Sequence, residues 1–350
     1  MMTRSVQVEP LALRTAGDRE YAALSALVNR IRAERLPDDP PIPLDEHIQE
    51  WRNIPPFVDV FNWVMWNDQR SAIVASASGS VLRVEENQHV GQMSIEVLPE
   101  LRRQGLGRRL LANIADMLRR ENRRMAIAAT DDRIPAGAAF MRRLGASKAI
   151  EAHINQLNLA DLNRDTLREW QAHVSERASG FELGFWDGAY PEDQIEAVAA
   201  LNEVMNQEPR DNLDVEDFHF TPAHLRQIEQ SLHAAGTQRW TMYVRERGTG
   251  AFAGFTDVQW NANRPEILQQ GNTGVFPQYS NKGLGRWLKA AMLEWVLRER
   301  PQVKVVRTRN ADSNAAMLRI NNELGFKPYM SECLWQVATD QIVAYLAGSR

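Results

Sequence analysis

Two glycines one residue apart, with arginines before them and an apolar helical stripe after them, stand within Val97–Leu111, "VLPELRRQGLGRRLL". Glycine allows positive φ and lets a ligand approach the backbone closely. The first N–H groups of a helix have no acceptor inside it and carry the positive end of its dipole. Arginines add charge-assisted donors. A strand ending in such a turn suits a phosphate or pyrophosphate. The spacing narrows the choice of loop. Gly107 is followed by Arg108 and Arg109, not by Lys and Ser/Thr, so the GxxxxGK[ST] loop is excluded. The third glycine of GxGxxG is missing, and the turn follows several strand-like segments rather than a first one. What remains is Arg102-Arg103-Gln104-Gly105-Leu106-Gly107.

The construction returns at Val275, in "VFPQYSNKGLGRWLK". Val97, Pro99, Gly105 and Gly107 meet Val275, Pro277, Gly283 and Gly285 at one offset of 178 (275 − 97). Further on, "RRLGA" from Arg142 meets "NELGF" from Asn322 at an offset of 180 (322 − 142). Solenoid repeats run to about 20–50 residues, so a period this long is a domain duplication. The expected organisation is a first domain over 1–160, a connecting helix over 161–179 ("LNRDTLREWQAHVSERA" at its heart) and a second domain over 180–350.

The glycine turns need a frame, and each half supplies the same one. A first strand ("VEPLALRTA"; "GFELGFWDG") leads to a helix starting near Asp18 or Pro191. A Pro- and acid-rich loop and a second helix follow. Three strands come next: "VFNWVMWN", "SAIVASAS" and "GQMSIEVL", or "WTMYVRER", "GAFAGFTDVQW" and "GNTGVF". After the turn, Leu110, Leu111, Ile114, Met117 and Leu118 form one apolar stripe, and Leu288, Ala291, Met292 and Trp295 form its counterpart. Another strand, a short helix ending in Leu-Gly and a last strand close each half.

Composition removes several function classes. Net charge is −4 and the pI about 6.0, which argues against a general nucleic-acid binder. No apolar run approaches a membrane span, and the N-terminus lacks a signal-peptide core. The single cysteine, Cys333, rules out an intrachain disulfide and fits a cytoplasmic protein. With one cysteine and no HExxH pair, no metal site is expected.

The RxxGxG turn, its place before a helix and its second copy resemble the pyrophosphate loop of the GCN5-related N-acetyltransferase (GNAT) superfamily. The stretch "TGVFPQYSNKGLGRWLKAAML" through "TRNADSNAAMLRINNELGF" looks particularly like the C-terminal half of bacterial tandem members. The resemblance implies an α/β (α+β) fold: two tandem GNAT-like domains, each a mixed, mostly antiparallel sheet flanked by helices. It implies acetyl-CoA as cosubstrate. The pyrophosphate would lie on the turn residues Arg102, Arg103, Gln104, Gly105, Leu106, Gly107 and Arg108, or on Asn281, Lys282, Gly283, Leu284 and Gly285. The pantetheine arm would pair like a strand along Glu96, Val97 and Leu98, or along Gly274, Val275 and Phe276. Asn310 and Asn314 would contact the cofactor in the second half, although Asn314 also suits a helix N-cap.

The copies depart from the family pattern. Ser280 stands where Arg or Gln is usual, and Asn321 and Met141 stand where many members carry a tyrosine acid. Each half has one strand carboxylate that could serve as base: Glu96 in the first, where the second has Gly274, and Asp257 in the second, where the first has Gly79. The acids Glu208, Asp211, Asp214, Glu216 and Asp217 read as helix-start chemistry before "TPAHLRQIEQ", or as selection of a cationic amine. The tryptophans Trp63, Trp66, Trp240 and Trp260 read mainly as core. The expected activity is acetyl transfer from acetyl-CoA to a primary amine of a small molecule, by direct attack in a ternary complex, with one half active and one degenerate. A non-catalytic acyl-CoA-binding module is the alternative. The expected assembly is a monomer or homodimer, without nucleic-acid or membrane partners.

Overall fold

The structure, a computed structural model, describes residues 7–172 and 178–348. They form two compact units that are not the contiguous halves expected. The first unit runs to Glu151 and adds Arg210–Glu216 and everything from Glu332 onward; the second holds Ala152–Pro209 and Asp217–Ser331. Residues 173–177, inside the expected connecting helix, lie outside the described residues; the helix is seen over Arg164–Ala172 (α5).

In the first unit the strand order is β1 (Val8–Pro10), β2 (Val58–Trp66), β3 (Ile73–Leu82), β4 (Val90–Val97) and β5 (Met125–Asp131), with Glu332–Ala338 of β12 (Lys327–Ala338) beside β5. In the second unit Ala152–Asn158 of β6 (Ser147–Asn158) is followed by β11 (Val305–Ala311), β10 (Ile267–Val275), β9 (Phe252–Asn261), β8 (Thr237–Glu246) and β7 (Phe181–Asp187). Within each unit every pair is antiparallel except β4–β5 and β10–β11. The end of each half's last strand thus completes the unit built from the other half. Duplicated strands carry the same alternation, so either can satisfy either sheet edge, as in domain swapping.

Helices α1 (Asp18–Arg35) and α2 (Leu44–Arg52) belong to the first unit, as do α3 (Leu106–Arg120) and α4 (Pro135–Arg143). Leu110, Leu111, Ile114, Met117 and Leu118 of α3 are all buried against β3 and β4, as the stripe predicts. The second unit has α6 (Ile195–Asn202) with a 3₁₀ turn over Glu203–Gln207, then α7 (Pro222–Ala234), α8 (Leu284–Glu299) and α9 (Ala315–Leu324). On α8, Leu288 and Met292 are buried, while Ala291 and Trp295 are half-buried at the flank of that core. The last helix, α10 (Thr339–Ala347), packs on α3. Among the described residues no helix is long and apolar enough to cross a membrane.

The acidic loop corrects an expectation. α7 is capped by Thr221 and His224, which exchange the two hydrogen bonds of a capping box, and its first turn holds no acid. Asp214 and Glu216 instead belong to the first unit. Asp214 lies 3.3 Å from Arg124 and 3.5 Å from His89, and Glu216 accepts from the Asn87 N–H at 2.6 Å. Trp240 is core, tilted on Trp295 with ring centres 4.7 Å apart.

Candidate functional site

In each unit the two parallel strands begin together and then part. β4 pairs with β5 only over Val90–Gln92, yet stays paired with β3 to Val97. β10 pairs with β11 only over Ile267–Gln269, yet stays paired with β9 to Val275. From Met93 onward, and from Gln270 onward, one edge of the strand therefore pairs with no other strand among the described residues. A free edge is a template for an extended, amide-bearing ligand.

The edge leads into the glycine turn. Arg103 and Gly105 are both left-handed, at φ 65° and 83°, and so are Asn281 and Gly283, at 62° and 80°. The turns are thus the same shape despite their different sequences. Asn281 accepts that conformation more easily than most side chains. Arg102 N–H bonds Pro99 O, and Arg109 N–H bonds Gly105 O. Among the described residues, the amides from Arg103 to Arg108 between them have no backbone acceptor, and the same is true from Asn281 to Arg286. Left-handed residues in such a run gather amides into an anion-binding concavity at a helix N-terminus.

Gly107 and Gly285 carry a further signal. A Cβ at Gly107 would come no nearer than 3.9 Å to Ile95 and Phe140, and one at Gly285 no nearer than 3.7 Å to Ile320. Neither residue has a positive φ. The chain's own packing therefore does not require glycine there, whereas a ligand lying against the helix start would. The residues present fit a pyrophosphate.

The cations divide into bound and free. Arg102 is committed to Glu34 on α1, and its Nε donates to Val97 O at 3.1 Å. Arg108 donates to Leu346 O on α10, and its second-half counterpart Arg286 grips Glu323 at 2.9 and 3.0 Å. Arg103 and Lys282 are exposed and make no ion pair among the described residues. Gln104 donates to Glu100 O at 3.2 Å. Leu106 and Leu284 are buried anchors of their helices, while Val97, Leu98, Val275 and Phe276 are half-buried at the strand ends.

Glu96 lies on the free stretch of β4. Ile95 and Val97 pack toward α3, so alternation turns Glu96 to the opposite face. No hydrogen-bond donor meets it among the described residues, and burial raises its pKa while the Arg35 charge opposes the rise. Arg35, at the end of α1, also lies 3.5 Å from Asp131 and 3.6 Å from Glu332. Asp131 too is raised, chiefly by burial. Glu332 pairs directly with Asp131 across β12–β5. Sequence reasoning missed this group of Arg35, Asp131 and Glu332, because its members come from three distant segments.

The second unit treats the same positions differently. A Cβ at Gly274, the counterpart of Glu96, would lie 2.7 Å from Val204, so the place of that carboxylate is filled. Asp257 sits in a β-bulge. Gln270 pairs with Val258 but Thr273 with Thr256, one residue out of step. The Asp257 carboxylate accepts from the Asn272 N–H at 2.8 Å, and a Cβ on Gly271 would come within 2.4 Å of it. Burial pushes its pKa up to about 6. Asn314 caps α9, accepting from the Met317 N–H at 3.2 Å. Asn310 accepts from Asn321 at 2.7 Å, and Asn321 in turn accepts from the Lys289 ammonium at 2.8 Å. Lys289 is a residue that sequence reasoning passed over.

Comparisons with known proteins agree with this geometry. Residues 25–146 match the family model described as "Acetyltransferase (GNAT) family". A tandem GNAT protein from the clavulanic acid biosynthesis pathway superposes with a TM-score of 0.76 at 24% identity, covering 95% of this chain and 98% of that one. A GCN5-related N-acetyltransferase from Sphaerobacter thermophilus gives 0.67 at 13% identity, covering 97% of each. A glucosamine N-acetyltransferase region of a fungal multi-domain β-N-acetylglucosaminidase gives 0.66 at 14% identity, covering 95% of this chain and 38% of that one. No curated protein sequence matches significantly.

Proposed function

We propose that the chain is a tandem member of the GNAT superfamily and moves an acetyl group from acetyl-CoA to the primary amine of a small molecule, with the first unit as the catalytic one. One observation carries the reading. On the free edge of β4, just before the amide-lined turn, stands a carboxylate with no hydrogen-bond donor among the described residues and a pKa raised by burial.

Acetyl-CoA supplies an acyl group activated as a thioester. The amides from Arg103 to Arg108, with the Arg103 side chain, would hold its pyrophosphate, and the β4 edge would hold its arm. Glu96 takes the proton that an amine must lose to attack, and its raised pKa makes it a stronger base than an exposed carboxylate. The C–N bond forms, the C–S bond breaks, and the thiolate leaves to be protonated from solvent. A thiol is acidic enough to leave without the tyrosine that Met141 replaces. Asp131 and Glu332 bring negative charge to the same mouth, partly offset by Arg35, which suits a cationic acceptor. Cys333 supports no covalent relay, because burial raises its thiol pKa.

The second unit is better read as a non-catalytic acyl-CoA holder. Val204 occupies the place of a Glu96-like carboxylate, and Asp257 is committed to the bulge. The test is acetyl-CoA titration followed by a panel of amines assayed for CoA release and acetylated product. Binding with product identifies the enzyme; binding without product on any amine favours the holder; no binding at micromolar ligand rejects both.

A further inference from the structure

Lys289 is buried on α8, 1% exposed, in the core of the second unit. Among the described residues it has no carboxylate partner. Its Nζ donates to Asn321 Oδ1 at 2.8 Å and lies 5.6 Å from the centre of the Phe326 ring. Asn321 Nδ2 donates to Asn310 Oδ1 at 2.7 Å. The equivalent positions of the first half hold Leu111, Met141 and Thr130. Leu111 and Met141 are buried in the apolar core there, so the fold itself does not need a polar chain at this place. Burying an ammonium without a counter-ion is costly, and desolvation pushes the Lys289 pKa down to about 7. A costly buried lysine and its amide partner in one copy of a duplicated fold, with Leu111 and Met141 at their places in the other, point to a task particular to the second unit.

The chemistry of the three groups gives that task. Below its lowered pKa Lys289 is an ammonium, which only donates, so it holds the Oδ1 of Asn321 toward itself. That turns the Asn321 amide nitrogen toward Asn310, which must then present its own oxygen to Asn321. The Asn310 Nδ2 is left over, and no described residue accepts from it. Asn310 stands three residues beyond Arg307, the last β11 residue paired with β10, on the wall where the strands have parted. We propose that Lys289 is a positioning residue that fixes the Asn310 amide with its N–H₂ toward the second cleft, where it donates to a carbonyl oxygen of an acyl-pantetheine arm. Without the lysine both amides are free to turn over, and the cleft is then offered an oxygen as readily as a donor.

The inference rests on the reading that the second cleft takes acyl-CoA, and the experiment separates the two. Gly107→Glu places a carboxylate at the first turn, where a Cβ meets no atom nearer than 3.9 Å, and so repels pyrophosphate from the first cleft alone. In that background acetyl-CoA is titrated calorimetrically into the parent, Lys289→Leu, Asn310→Ala and the double variant. One bound acetyl-CoA in the parent, weakened about 3- to 10-fold by either single change and no further by both, is the expected result. Equal affinity in Lys289→Leu, or additive losses in the double variant, overturns the positioning role while leaving the second cleft as a binding site. Loss of all binding in Gly107→Glu alone overturns the reading of the second cleft and the inference with it. Lys289→Leu installs the first half's own residue, and a single melting transition no lower than the parent's checks that it folds.

Discussion

The Arg102 guanidinium holds the Glu34 carboxylate through two hydrogen bonds of 2.6 and 2.5 Å, while its Nε donates to Val97 O. The arginine that most marks the sequence motif is thereby a strut between α1 and the turn. Arg103, its neighbour, is left-handed, exposed and without an ion pair among the described residues. The two should separate cleanly. Arg102→Ala is expected to cost about 1 kcal/mol of stability, as for a partly exposed ion pair of good geometry. Arg103→Ala is expected to leave the melting temperature unchanged and to weaken acetyl-CoA binding more than Arg102→Ala does. Thermal melts and calorimetric titration of both variants check this.

Glu96 sets a pH dependence of known sign. Burial raises its folded pKa, so the folded chain holds the proton to higher pH than the unfolded chain does. Between the ordinary carboxylate value and the raised one, this group makes stability fall as pH rises. Above that window the cost is fully present. Glu96→Gln should remove the slope and leave the protein no less stable at neutral pH. It should also lower kcat/KM about 10²- to 10⁴-fold and abolish the acid limb of the pH–rate profile. Retained activity with an unchanged profile would reject Glu96 as the base.

Lys289 tilts stability the other way. Its pKa falls from 10.5 to about 7 on burial, so between those values the unfolded chain binds the extra proton. Stability from this group therefore rises as pH climbs from about 7 toward 10.5, and its burial cost is greatest below 7. Lys289→Leu should flatten that rise and stabilise the protein most at low pH. Urea midpoints at pH 6.5 and pH 9.5, chosen on either side of the lowered value, are the measurement.

The glycine turns, the α3 stripe and the strand that carries Glu96 were legible because each is written locally, in spacing of three to four residues or of two. Lys289 was not. A helical wheel places a charged residue at solvent by default, and nothing near it in sequence announces that α5 packs on α8 or that Asn321 of α9 meets the Lys289 ammonium. The completion of each unit by the other half's last strand was hidden for a different reason. Val337 and Leu157 belong to strands of like pattern, so alternation alone does not say which β5-type neighbour each will take. Arg35, Asp131 and Glu332 converge only once that choice is made.

Asp257 was read as a base from its place on a strand, and the bulge gives it other work. Its carboxylate accepts the Asn272 N–H, which the register slip removes from the ladder. Asp257→Ala takes the acceptor from that part-buried amide and is expected to cost about 1 kcal/mol. If the first unit carries the reaction, as proposed, turnover per folded molecule should be unchanged. A loss of kcat in excess of the loss of folded protein would return Asp257 to a catalytic role.

Gly105 and Gly107 differ by one position and should respond in opposite ways. Gly105 is left-handed with open space where a Cβ would stand. Its replacement by alanine is a matter of backbone conformation and should cost about 1–2 kcal/mol, with asparagine better tolerated. Gly107 is already inside α3, without positive φ and without crowding from its own chain. Alanine there should be neutral or should stabilise by up to about 1 kcal/mol, since it reduces the freedom of the unfolded chain. If the amides behind it hold a pyrophosphate, the added methyl occupies the ligand's approach, and acetyl-CoA affinity must fall as stability holds or rises. Denaturant melts and titration on the same two preparations give both signs. A Gly107→Ala protein that binds acetyl-CoA as tightly as its parent would mean that the ligand does not lie against this turn.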